Sequence, residues 1–382
     1  MTELSYISDM SPDSSLPLVF VVGGTGAQGI PVIRGLVSDG AYAVRFLTRD
    51  ATSKRSQELL KLPNVSAVEG SFANETDLRQ GLRGASYAFI NIDGFNAGEK
   101  TEMFWAMRSY ELALEEGIKF FVYGNLDFVY KKGGYDPTLR CGHYDGKGRV
   151  GEWILQQNKQ GPESKNKMGA ALFTTGPYIS MAVGARTPMS PTVEDGVVTW
   201  RVPLGQGAVA HVNLDDCEYY VRWLLDHQQR ANGMDLEVAI DMIAYDELAR
   251  AFTQVTGHPA RYVDTSLADY WAGGPLGRGT TAAGYNAEPD DPATMTIRDN
   301  FTGFWNMWKR SGGGGGGGGE RVIQRDFALL DEIHPGRIRS AQEWFQKEEE
   351  RSAKLGLPDL WTRVNNLRPV LKIAEDGRQG RL

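Results

Sequence analysis

The chain has 382 residues, 41% of them hydrophobic, and a formal net charge of −7. That is material for a large core and more chain than one small domain needs, so one principal domain with a smaller, intertwined second part is expected. No apolar run approaches the roughly 20 residues of a membrane span, and no basic run or basic-aromatic stripe stands out, which argues against a transmembrane protein and against direct nucleic-acid binding.

Residues 1–16 are polar rather than signal-like and are read as disordered or extended. The apolar run Leu18-Val19-Phe20-Val21-Val22 then predicts a buried strand. It is followed by the turn Gly23-Gly24-Thr25-Gly26-Ala27-Gln28-Gly29 and by a helix opening at Ile30. Strand, glycine turn and helix in that order form the setting in which a dinucleotide pyrophosphate binds. Gly23 lets the chain turn, Gly26 removes a Cβ where the anion approaches, and Gly29 lets helix and strand pack closely, while N–H groups of the first helical turn face the phosphates. The expected cofactor-binding residues of this loop are Gly23, Thr25, Gly26, Ala27, Gln28 and Gly29.

Tyr42–Leu47 reads as a second strand and Thr52–Lys61 as the next helix. Between them, Arg49 stands where an acidic residue would hold the ribose 2′-hydroxyl of NAD, and a guanidinium there suits the 2′-phosphate of NADP. Lys54, with Arg55 beside it, offers a second cation. Asp50 complicates the reading, because a one-residue shift of the strand end would aim a carboxylate instead. NADP(H) is the expected cofactor, with NAD(H) the alternative.

Further strands are predicted at Val65–Glu69, Tyr87–Ile92 and Phe120–Tyr123, with helices at Glu75–Leu82 and Glu99–Glu116, the latter stopped by Gly117. Asn91, at the end of the fourth strand, is a candidate cofactor contact. A loop at 124–144 precedes a helix around Lys147–Gln157, and Ala171–Thr175 supplies a sixth strand. Strands alternating with helices predict an α/β fold with a Rossmann-type doubly wound parallel sheet over residues 17–176 and a smaller, irregular C-terminal α/β lobe over 177–311. That lobe holds a hairpin near Val197–Val202 and a helix at Asp215–Gln229. Eight glycines at 312–319 read as a flexible loop, of natural or introduced origin, and 320–382 as a tail packing on the body, with a charged helix at Ser340–Lys354. Cys141 and Cys217 lack paired spacing and read as buried, inert thiols; the five histidines, at 143, 211, 227, 258 and 334, lack metal-ligand spacing, so no metal is expected.

With these residues on the page, the chain resembles the NmrA-like family of atypical short-chain dehydrogenases. The resemblance rests on Gly23–Gly29, on Leu47-Thr48-Arg49-Asp50, on Gly117-Ile118-Lys119-Phe120-Phe121-Val122-Tyr123 and on His143-Tyr144-Asp145-Gly146-Lys147-Gly148, and it spans roughly residues 17–300. The tail segment Arg325–Leu330 is also similar to fungal members. The resemblance implies a Rossmann domain and smaller C-terminal domain, and either of two roles: an NADP-binding redox sensor that restrains a transcription factor through protein contacts, or a reductase related to isoflavone reductase.

Short-chain dehydrogenases use Tyr-x-x-x-Lys, the lysine lowering the tyrosine pKa and holding the nicotinamide ribose. Lys147 matches the family lysine, but His143 stands four residues before it and Tyr144 only three, and Gly124-Asn125 follow the fifth strand where a serine is usual. The candidate catalytic residues are therefore Lys147, Tyr144 and His143, with Lys147 also a cofactor ligand. His143 has the alternative of a loop hydrogen-bonding role and Tyr144 that of packing against the sheet. Phe95, Phe128, Tyr130, Tyr135 and Tyr178 fall on loops at the ligand face, with Phe95, Tyr130 and Tyr178 the expected pocket residues. As a pocket they favour an NADPH-dependent reductase of a small organic, possibly aromatic, substrate; as a plug they favour a non-catalytic NADP(H) sensor acting on a regulatory protein partner. A third reading makes the aromatic loops and charged tail a pure interaction surface over a vestigial cofactor site. The expected location is cytoplasmic, with the nucleus also compatible, and the oligomeric state stays open.

Overall fold

The computed structural model describes residues 16–158, 168–312, 321–370 and 382. The expectations for the first fifteen residues, for nearly all of the glycine tract and for the end of the tail lie outside these.

The first half alternates strand and helix: β1 (Leu18–Val22), α1 (Gly29–Val37), β2 (Ala43–Thr48), α2 (Lys54–Leu60), β3 (Val65–Glu69), α3 (Glu75–Leu82), β4 (Tyr87–Ile90), α4 (Gly94–Ala97), α5 (Glu99–Glu115), β5 (Phe120–Leu126), α6 (Val129–Lys132), α7 (Gly142–Asn158) and β6 (Gly169–Thr175). The second half is shorter in its pieces: β7 (Thr192–Glu194), β8 (Val197–Val202), β9 (Val209–His211), α8 (Asp216–Asp226), α9 (Gln228–Ala231), β10 (Asp235–Glu237), β11 (Asp241–Ile243), α10 (Tyr245–Thr256), β12 (Ala260–Asp264) and α11 (Leu267–Gly273). Four helices close the chain: α12 (Ile297–Lys309), α13 (Phe327–Ile333), α14 (Ala341–Leu355) and α15 (Leu360–Asn365).

Seven strands form one parallel sheet in the order β10-β6-β5-β4-β1-β2-β3. The reason is visible in β1. Val19 and Val21 join the core on the α1 and α8 side, while Phe20 and Val22 join the core on the α3 and α5 side. A strand buried on both faces must be apolar throughout, and only helices on both faces supply that cover. The order reverses between β1 and β4, the switch point beside which such sheets bind ligands. The chain leaves this sheet after Thr175 and returns with α8, packed on α1, and β10, paired to β6, so residues 216–237 lie on the sheet rather than in the lobe.

The lobe has its own core around Trp200, Trp305, Trp308, Phe252 and Phe345, with β7 and β8 as the expected hairpin and β12 parallel to β8. Among the boundaries that differ from the sequence reading, the expected Asp215–Gln229 helix is split into α8 and α9, and two others bear on the site. Helix α7 begins at Gly142 rather than Lys147, because the Asp145 carboxylate reaches back to the Cys141 N–H at 2.8 Å and closes the first turn. Strand β5 runs on to Leu126, its Asn125 amide donating to Thr174 of β6 at 2.9 Å.

Candidate functional site

The glycine turn is built as close approach requires. Gly23 has φ +82°, and a Cβ on it would lie 2.3 Å from the Asn91 carbonyl oxygen; one on Gly29 would lie 2.1 Å from that of Gly23. Side chains at either place would push the turn off the strand or α1 off the turn. Above this turn a cavity of about 930 Å³ extends across the carboxyl ends of the strands, touching Val22, Thr48, Asn91, Asn125 and Thr175. Thr25, Gly26, Ala27 and Gln28 line it as well.

Arg49 lines the same cavity, one residue beyond the end of β2. Asp50 turns away, its carboxylate accepting from the Thr52 backbone N–H at 2.7 Å and from the Thr52 hydroxyl at 2.5 Å. Lys54 does not reach the cavity: it sits exposed on the first turn of α2. Its neighbour Arg55 does not line the cavity either, but braces the glycine turn by donating to the Thr25 carbonyl at 3.1 Å.

Deeper in, Asn91 bridges the two ends of the site. Its Nδ2 donates to Gln28 Oε1 at 2.6 Å, and its Oδ1 accepts from Lys147 Nζ at 3.2 Å. The Lys147 ammonium also donates to the carbonyls of Ile92 at 2.9 Å and Gly124 at 3.2 Å, which accounts for its three protons. Behind it lies Glu102 of α5, fully buried, with Oε1 2.8 Å from Nζ. The 2.8 Å approach makes this a close ion pair. Burial pushes the Glu102 carboxyl up and the lysine charge opposes it. The sequence reading passed over Glu102 because a glutamate in the first turn of a helix ordinarily serves the helix dipole.

His143 and Tyr144 both line the cavity beside Lys147. Burial pushes the His143 imidazole down to about 4, so the ring is neutral at pH 7. Burial also raises the Tyr144 phenol well above the usual range, with Asp127 and Cys141 adding to it. The lysine-lowered tyrosine of a typical dehydrogenase is thus not reproduced at Tyr144.

Of the expected pocket aromatics, Phe95 and Tyr178 line the cavity. Tyr130 does not. It sits on α6 with its backbone N–H donating to Asp145 at 2.9 Å and its ring edge-on to Tyr135, a centroid distance of 5.3 Å, so the ring packs on its own loop. The opposite wall is one the sequence reading missed: Phe301 and Phe304 of α12, Met181, and a loop from Leu276 to Pro289. The signal for α12 was present, since Phe301, Phe304, Trp305 and Trp308 recur at helical spacing behind the Thr296 cap, whose hydroxyl accepts from the Asp299 N–H.

Among the described residues no group of three or more His, Cys, Asp or Glu side chains is set to hold a metal, and no helix is long and apolar enough to cross a membrane. Cys141 and Cys217 are buried and unpaired, and burial raises both thiols well above the usual range.

The NmrA-like family domain-containing oxidoreductase himF of Aspergillus japonicus is 26% identical over 263 residues, covering 66% of this chain and 76% of its own. In fold, the chain is similar to NmrA, a negative transcriptional regulator solved in complex with NADP: TM-score 0.66 at 17% identity over 91% of this chain and 99% of that one. It is also similar to the triphenylmethane reductase of Citrobacter sp. complexed with NADP(H), with TM-score 0.58 at 14% identity over 91% and 99% of the two chains. The profile of the NmrA-like family matches residues 17–271, two-thirds of the sequence and all of the parallel sheet, and the chain belongs to that family.

Proposed function

We propose that this protein is an NADP(H)-dependent reductase of a small, aromatic organic substrate. One observation carries the reading: the aromatic side chains above the strand ends stand around a cavity of about 930 Å³ that runs from the glycine turn and Arg49 to Phe301 and Phe304, and so has to hold cofactor and substrate together. Small-molecule sites occupy roughly 300–1,000 Å³ and are mostly apolar with a few convergent polar groups. The relatives named as oxidoreductases support the same direction, and the NADP-bound neighbours support the cofactor.

The residues fit the cofactor. Gly23 and Gly29 hold the turn against the strand end and against α1, where a Cβ would clash, and Arg49 beside it suits a 2′-phosphate. When bound, NADPH supplies the hydride. The chain supplies the rest. Asn91 and Lys147 orient the ribose end, and Phe95, Phe301 and Phe304 exclude water from the substrate. Lys147 Nζ, the cation of the three candidates, would release one of its hydrogen-bonded protons to the reduced substrate; His143 is neutral and no lysine lowers the Tyr144 phenol.

A screen of NADPH oxidation by the purified protein with carbonyl and enone substrates tests this. Turnover is expected with at least one aromatic member, with kcat falling by about 10²-fold or more in Lys147→Met/Glu102→Gln, a double substitution that leaves no buried charge unpaired. If tight cofactor binding comes without turnover of any member, the alternative takes over: an NADP(H) sensor acting on a protein partner. That alternative draws its support from the Lys147 ammonium, whose three protons are all taken up by the protein.

A further inference from the structure

His143 is held at Nδ1 by Asn300, with the Cys141 thiol beside it, Sγ lying 3.4 Å from the same nitrogen. Asn300, fully buried on α12, places Oδ1 2.9 Å from His143 Nδ1 and 3.2 Å from the His143 backbone nitrogen, with Cys141 Sγ at 3.9 Å. The backbone N–H is a donor, so the Asn300 atom it meets must be the amide oxygen and not the nitrogen. A ring nitrogen 2.9 Å from that oxygen must in turn carry a proton. In a neutral imidazole the other nitrogen, Nε2, is then a bare acceptor.

The ring has little freedom to turn over. Phe95 and Tyr144 lie 4.8 Å from its centroid on two sides and Phe301 lies 5.3 Å away on a third. Asn300 itself is only half satisfied: its Nδ2 is buried with no hydrogen-bond partner among the described residues. A buried amide kept at the expense of an unpaired donor is kept for its oxygen. His143 and its aromatic neighbours Phe95, Phe301 and Phe304 all line the cavity.

We propose that Asn300 is a positioning residue that fixes His143 as the Nδ1–H tautomer, so that Nε2 accepts a hydrogen bond from an N–H or O–H on a planar aromatic substrate. The inference rests on reading this cavity as the substrate site. Burial, which pushes the imidazole down to about 4, keeps the acceptor available across the physiological range. A site built around a desolvated acceptor discriminates against ligands that lack the donor far more strongly than an apolar pocket discriminates by size.

The test has two arms, neither of which depends on turnover. In the first, the full chain is labelled with ¹⁵N-histidine and the His143 signal is identified by its loss in His143→Gln. The Nδ1–H tautomer is expected in the wild type and in Asn300→Asp, which keeps the acceptor oxygen, and its loss in Asn300→Ala. An Nε2–H tautomer in the wild type overturns the proposal whatever the variants do, and so does an Nδ1–H tautomer that survives Asn300→Ala. In the second, calorimetry in the presence of NADPH compares indole-3-carbaldehyde with its N-methyl derivative, and 4-hydroxybenzaldehyde with 4-methoxybenzaldehyde. Methylation is expected to weaken binding at least about tenfold in the wild type and to make no difference in His143→Phe. Equal binding within both pairs, or no binding by either donor compound, overturns the substrate class. A correct tautomer with no reductase activity would instead count against the proposed function alone.

Discussion

Arg49 and Asp50 are neighbours of opposite charge whose side chains go different ways: the guanidinium lines the cavity and the carboxylate folds back on Thr52. The sequence could not decide between them, because a strand end shifted by one residue exchanges their faces. The backbone register decides it, β2 ending at Thr48. If Arg49 meets the 2′-phosphate, calorimetry will find NADP(H) bound more tightly than NAD(H), and Arg49→Ala will remove the preference while leaving NAD(H) affinity within a few-fold. Equal affinities in the wild type would sink that assignment. Lys147 was legible from its motif, but its surroundings were not. Glu102, Asn91 and the Ile92 and Gly124 carbonyls converge on it from three stretches of chain, and spacing along one helix carries no information about such convergence.

Elements were legible in proportion to the strength of their pattern. The six leading strands and the longer helices α1, α2, α3 and α5 stand where the sequence put them to within a few residues, while the single-turn helices α4 and α6 fall in stretches not read as helix. Strand β10 was invisible, being Asp235-Leu236-Glu237, a single apolar residue between two acids that becomes a strand only because β6 offers it an edge. The start of α7 was missed for a different reason: its cap is Cys141, outside the Ser/Thr/Asp/Asn vocabulary of helix starts, with Asp145 supplying the return contact. The tail was expected to cross back onto the body, and one buried pair shows how it does so. Arg325 donates to Asp127, just past β5, at 3.1 Å and 2.8 Å, with both side chains fully buried. Burial alone would raise the Asp127 carboxyl, but the Arg325 and Lys132 charges outweigh it and hold the group below the usual carboxylate range. Removing Arg325 leaves the buried Asp127 to Lys132 alone, 2.6 Å from Oδ1, so Arg325→Met should destabilise by at most about 3–5 kcal/mol, and the double Arg325→Met/Asp127→Leu by less. Denaturant unfolding monitored by tryptophan fluorescence measures both, and a double variant no better than the single would reject the buried-charge account.

Across the whole molecule, acid should act first through histidine. His143 and His211 are both pushed down to about 4 by burial, against about 6.5 in an unfolded chain. Between those values the unfolded state binds more protons than the native one, so their contribution is complete above about pH 6.5 and is lost as the pH falls toward 4. Asp235, raised to about 6 by burial, works in the opposite sense over part of that range. His211 is the cleaner probe, since it lies outside the cavity with Nδ1 3.3 Å from the Pro177 carbonyl and Nε2 3.4 Å from the Tyr245 hydroxyl. Thermal midpoints measured from pH 7 to pH 4.5 should fall less steeply in His211→Asn than in the wild type; parallel curves would exclude a neutral buried His211.

The return of the chain to the sheet through α8 and β10 bears on how this protein could diverge. In a molecule whose ligand-contacting part was a separate module, that part could be exchanged by recombination at a single junction. Here any such junction would have to cut β10 from β6 or Arg325 from Asp127. New specificities would have to arise by point changes along the wall formed by Met181, Phe301 and Phe304, inside an architecture inherited whole.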